Sequence, residues 1–129
     1  MTNEMIADFV IAEHPPSANW PRERLLEWID WFRRDGRCAV LSKKDSIVGV
    51  AFARLLSDSQ KPENHYDTDP TSRTAYIDLV VGESRLLRPM LAMLRRRFPT
   101  VRRLRFAREK RGGKTRTYNL DRFERALDG

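Results

Sequence analysis

The chain has 129 residues, 40% of them hydrophobic, with three Trp, six Phe and three Tyr, which predicts one folded domain over residues 1–129 rather than a disordered tail. Charged residues make up 33% and the net charge is +7, a balance that favours acidic partners such as nucleic acid, an anionic membrane surface or an acidic protein. One cysteine excludes an internal disulfide, two histidines argue against a Cys/His zinc site, and no apolar run approaches the roughly 20 residues of a membrane span.

Residues 1–14 carry scattered apolar positions, Met5, Ile6, Phe9, Val10 and Ile11, and read as a short helix or strand. Glu4 and Asp8 stand where a signal peptide carries Lys or Arg, so the chain reads as cytoplasmic. Pro15, Pro16 and Pro21 lack donors, and the segment between them is expected to be irregular. Asn19 or Trp20 then precedes a helix with Pro21 at its first position. Along it Leu25, Trp28, Ile29 and Phe32 fall at i, i+3, i+4 and i+7, one apolar face, and Asp35-Gly36 ends it. Trp31 lies off that stripe, where it covers an opening or serves a homodimer contact.

Cys38 to Leu41 and Ile47 to Leu56 predict two strands joined by the polar turn Lys43-Lys44-Asp45-Ser46, an antiparallel hairpin. Cys38 reads as a small buried apolar side chain rather than a nucleophile. Residues 57–74 show no apolar period, and a loop of that length is functional or disordered. His65, beside Tyr66, Asp67 and Asp69, reads as part of a solvated loop.

Thr74 to Val81 predicts a central strand, apolar on both faces apart from Asp78. A carboxylate in such a run is costly unless it is paired or used. The strand-turn-helix order sets Asp78 near a strand end, where α/β proteins build their sites. The alternative is a structural ion pair with an arginine of the neighbouring strand, Arg54. A helix follows from about Leu87 to Phe98 and stops at Pro99-Thr100. Val101 to Ala107 then reads as a strand, Gly112-Gly113 as a turn, Thr115 to Tyr118 as a short strand and Leu120 to Leu127 as a final helix.

That order matches the core of the GNAT acetyltransferase fold, and the expected class is α/β, a GNAT-like mixed β-sheet of about five strands flanked by helices. Asn19-Trp20-Pro21 leading into a helix, Tyr76-Ile77-Asp78-Leu79-Val80, and a helix ending in Arg95-Arg96-Arg97-Phe98-Pro99 before the Arg102 to Arg105 strand together narrow the match. In these islands the chain resembles the toxin-activating lysine acyltransferases, which fatty-acylate lysines of haemolysin-type toxins. The resemblance implies a GNAT-like fold, acyl carrier protein as donor, a lysine of a protein as acceptor, no resident cofactor or metal, and catalysis by a His and an Asp. The family's Asp falls on Asp78. Its His falls on Ser17, and His14 lies three positions before it.

The catalytic candidates are therefore Asp78, His14 and Ser17, with Asn19, Trp20, Arg54, Gly82 and Arg85 as candidates for binding substrate. The ordinary CoA loop, a run of glycines whose N–H groups cradle pyrophosphate, is replaced by Gly82-Glu83-Ser84-Arg85-Leu86-Leu87-Arg88-Pro89. One glycine, an acid and a donorless proline disfavour ordinary CoA binding. Arg95, Arg96, Arg97, Arg102, Arg103 and Arg105 are the candidates for a partner surface, which suits acyl carrier protein, nucleic acid, or solvent alone.

Overall fold

The structure, a computed structural model, describes residues 1–107 and 114–128. Five strands make one mixed sheet in the order β1-β2-β3-β4-β5: β1 Cys38–Lys43, β2 Ser46–Leu55, β3 Thr74–Gly82, β4 Arg103–Ala107 and β5 Thr115–Asn119. All neighbours are antiparallel except β3 and β4, which run parallel. The parallel pair follows from the crossover helix between them, α3 Leu87–Arg97. The β1–β2 hairpin turns at Lys44 and Asp45, both with positive φ, as a two-residue loop between right-twisted strands requires. The expected five-stranded mixed sheet with helices is what the chain forms.

Each face of the sheet has its own core. Helices α1 Asn3–Glu13 and α2 Arg22–Arg34 bury Ile6, Val10, Trp28, Ile29 and Phe32 against Val50, Phe52 and Val81. On the other face, α3 and α4 Leu120–Asp128 bury Leu91, Leu94 and Leu120 with Ala53, Leu55, Ala75 and Leu104. No helix among the described residues is long and apolar enough to cross a membrane.

The structure settles several local expectations and corrects others. Residues 1–14 settle as helix α1, capped by the Thr2 hydroxyl accepting from the Met5 N–H at 3.1 Å. The proline-rich segment is regular after all, a 3-10 turn over Pro15–Asn19, because its few N–H groups are those such a turn uses: Ser17 to the His14 carbonyl and Trp20 to the Ser17 carbonyl. Pro21 is the cap of α2 rather than its first residue, its carbonyl accepting from Leu25. Trp31 is covered from within the chain, with the Arg37 guanidinium 3.9 Å over its ring and Tyr66 at 5.1 Å. The turn expected at Gly112-Gly113 lies outside the described residues.

Candidate functional site

Two irregularities of β3 make an opening in the sheet. Toward β2, Phe52 faces Leu79 and Ala53 faces Ile77, so Asp78 is the extra residue of a bulge, set out of the alternation of its neighbours. Toward β4, pairing covers Thr74↔Arg103, Ala75↔Leu104 and Tyr76↔Arg105 and goes no further among the described residues. Past Tyr76 the two strands part. A strand edge left this way keeps N–H and C=O groups that an amide-bearing ligand can pair with.

A cavity of about 850 Å3 occupies the opening and runs beneath α3. Its sheet side is floored by Ala39, Ala51 and Ala53, and its helix side by Leu87, Met90 and Leu94. Ala39 and Ala51 are cross-strand partners, so no large side chain fills the space between them and the helix. Asp78 and His14 both line this cavity, as do Phe106 and Ala107 of β4. Size and apolar character are those of a small-molecule site.

Among the described residues Asp78 is the one carboxylate of that lining. Its side chain is 11% exposed and its Oδ2 accepts from the Arg54 Nε at 3.1 Å. Burial pushes its carboxyl up to about 6, while the Arg54 charge and hydrogen bond pull the other way without cancelling that rise. Arg54 is 1% exposed and donates as well to the carbonyls of Asn64 at 2.8 Å, Asp67 at 3.0 Å and Pro62. Its whole donor set is therefore internal. Arg54 joins Asp78 to the loop after β2, and the partners of its guanidinium are all within the chain.

The loop after β2 is thereby a built wall. Besides Arg54, the Arg105 Nη1 donates to the Gln60 carbonyl at 3.3 Å, Thr68 Oγ1 donates to the Leu55 carbonyl at 3.1 Å, and the Asp69 N–H donates to the same carbonyl at 2.8 Å. Ser17 is buried and its Oγ lies 2.8 Å from His14 Nδ1. That bond holds the half-buried imidazole at the end of α1 by one ring nitrogen.

No protein-family model matches the chain, and no curated protein matches it. Among solved structures it is similar to the GphF GNAT-like decarboxylase in complex with isobutyryl-CoA, with a TM-score of 0.60 at 18% identity over 82% of this chain. The chain spans 61% of that protein's length. The fold is GNAT-like. At this identity the likeness reaches the fold and does not reach the lysine acyltransferase family that the sequence islands resemble.

In this GNAT-like frame the remaining predicted residues scatter. Trp20 is exposed and packs edge-on against Trp28 at 5.9 Å and His65 at 5.7 Å, joining the proline segment to the long loop. Asn19 is exposed beside it. Gly82 has φ +125°, and a Cβ there would sit 2.7 Å from the Val48 carbonyl oxygen and 2.9 Å from the Gly49 Cα. Its role is close approach of β3 to β2. Arg85 pairs with Glu83, so an acid and a bonded base occupy the turn where a glycine-rich loop would offer bare N–H groups. The arginines are largely engaged: Arg95 with Asp121 at 2.8 Å and Glu124 at 2.7 Å, Arg97 with the Asp35 carbonyl, Arg102 with the Pro99 carbonyl at 3.2 Å, and Arg103 with Thr74 Oγ1 at 3.1 Å. Arg96 is exposed and, with Arg97, reaches the cavity lining. Sequence reasoning missed the alanine floor, while His65 is exposed in the long loop as expected. The cross-strand pairing of Ala39 with Ala51 is invisible without the register.

Proposed function

We propose that this protein transfers an acyl group from a thioester to an amine, the thioester delivered on the phosphopantetheine arm of acyl carrier protein and the amine being a lysine of a protein acceptor. The observation that carries the reading is the parting of β3 from β4 beyond Tyr76, with an apolar cavity and a buried carboxylate in the gap. A pantetheine arm carries two amides and fits the free strand edge, while an acyl group fits an apolar chamber. The structural neighbour, solved with an acyl-CoA, supports a thioester ligand for this fold.

In the reaction the neutral amine attacks the thioester carbonyl carbon. A C–N bond forms, the C–S bond breaks, and the carrier thiolate leaves and takes up a proton. The acceptor enters as ammonium, so a proton must first be removed. Asp78, with its carboxyl raised to about 6, is a stronger base than an exposed aspartate, and His14 lines the same cavity. The thioester is already electrophilic, so the protein's main contribution is orientation. Carrier protein rather than free CoA is favoured by Glu83 and by the donorless Pro89 in the first turn of α3.

The test is mass spectrometry of a lysine peptide incubated with acylated carrier protein and the chain. The expected result is one acyl mass added per peptide, slowed about 100-fold or more by Asp78→Asn. No transfer from either carrier protein or CoA thioesters overturns the reading.

A further inference from the structure

Of the two cavities that meet at Asp78, the first is the larger, about 850 Å3 against about 610 Å3. What makes it hollow is a contrast along β2. At Gly49 an added Cβ would meet the tips of Met90 and Leu86 at 2.6 and 2.9 Å, and at Gly36 one would meet the Arg97 Nε at 2.7 Å. The two ends of α3 therefore ride close on the chain beneath them. Between those ends the face of β2 that carries Gly49 carries Ala51 and Ala53, with Ala39 of β1 opposite Ala51.

Ala39 and Ala51 stay only half-buried although a helix lies over them. In a filled core the side chains of the helix would seal them. Val80, the partner of Ala51 on β3, is 38% exposed on that face as well. It lays an apolar path from the gap beside Asp78 to the alanine floor. A space lined by Ala, Leu and Met offers a water few partners and suits an apolar occupant.

Its length can be read from the helix. From Met90 to Arg97 the helix advances seven residues, about 10 Å. An extended chain covers about 3.5 Å for every three backbone bonds, so that span takes about nine bonds. At the far end the Arg97 Nε donates to the Asp35 carbonyl at 2.7 Å, beside Gly36, and closes the space with a polar group. An acetyl group would leave most of the chamber empty.

We propose that the space between α3 and the alanines of β1 and β2 measures the acyl group, taking a straight aliphatic chain of roughly 8–10 carbons. Ala51 and Ala39 set the limit. The assignment rests on the acyl-transfer reading above and names the acyl class of its donor. Ala51 lies one strand from Val80 and Ala39 one strand further, so a larger side chain at Ala51 stops the tail sooner.

The experiment is calorimetric binding of pantetheine thioethers with straight chains of increasing length to the full chain. Each added methylene is expected to tighten binding about fourfold. The gain is expected to stop near roughly 10 carbons. Ala51→Leu should move that break to shorter chains and Ala39→Leu should move it less, with the shortest analogue bound as in wild type. A hollow has room for the added atoms, so both variants should keep the wild-type thermal midpoint or exceed it.

The assignment is overturned if binding is absent or indifferent to chain length, or if the break stays in place in both variants. It is equally overturned if both variants melt well below wild type, as overpacking of a filled core would make them. Turnover with acylated carrier protein separates this idea from the one it rests on. A length-dependent series without transfer sinks the reaction and spares the chamber, whereas transfer with a flat series does the reverse.

Discussion

Arg54 and Asp78 face each other across neighbouring strands, Nε to Oδ2 at 3.1 Å, and the same guanidinium holds three carbonyls of the loop that follows β2. A buried arginine, a half-committed carboxylate and a long irregular segment thus form one unit. The position of Asp78 at a bulge turns that unit toward the gap between β3 and β4.

The first prediction concerns pH. The Asp78 carboxyl goes from 3.8 to about 6 on folding, so between those values the folded chain holds a proton that the unfolded chain releases. The stability this provides is full below about pH 4 and is lost as pH rises through 6. The loss amounts to about 3 kcal/mol, taken from about two pH units. Urea melts of wild type and Asp78→Asn at pH 4 and pH 7 are expected to diverge by that amount, with the variant gaining at pH 7. Curves that stay parallel would show that Asp78 has an ordinary acidity.

Removing the Arg54 head group leaves a carboxylate and three carbonyls without their donor. Arg54→Met is therefore expected to cost about 3–5 kcal/mol. The loop should loosen before the sheet does, because the clip is lost there first. Limited proteolysis read by mass spectrometry is expected to cut between residues 57 and 73 faster in the variant. Equal cutting rates would show that the loop is held by other contacts.

How much of this the residues foretold varies by element. The apolar stripe of α2, the polar turn at Lys44-Asp45 and the breaker Pro99 are local signals, and local signals placed the helices and strands to within a few residues. Asp78 stood out for the same reason, as a charge in an oily run. The bulge that gives it its direction depends on how β2 and β3 pair, which no local pattern encodes. The loop from 57 to 73 looked structureless because its order comes from two distant arginines and not from its own periodicity. His14 and Ser17 stand three positions apart with two prolines between, and only the 3-10 turn sets their side chains 2.8 Å from each other.

Gly82 gives a sharp steric prediction. Substitution by alanine places a Cβ against the Val48 carbonyl and the Gly49 backbone at a φ of +125°. Gly82→Ala is expected to cost about 1–3 kcal/mol, and the thermal midpoint to fall accordingly. Gly49→Ala meets only the tips of Met90 and Leu86, which can swing away, so its cost should be the smaller of the two. The opposite order would contradict the close approach of β2 and β3.

Cys38 lines the first cavity, yet burial pushes its thiol up to about 12. Its thiolate is scarce at neutral pH, and a thiol in that state is a poor nucleophile. Alkylation at pH 8 is expected to be slow in the folded chain and fast in denaturant, and Cys38→Ala should leave acyl transfer intact. Loss of transfer in that variant would point to an acyl-cysteine intermediate instead.

The central claim, that the gap between β3 and β4 is where an acyl thioester lies, is tested most directly by amide hydrogen exchange. Acyl carrier protein bearing a non-cleavable thioether-linked acyl arm is added, and exchange is followed along β3. The expected result is slowed exchange at the amides of residues 77–81 that point away from β2, with the rest of the sheet unchanged. Protection confined to other segments, or none at saturating carrier protein, would contradict the account.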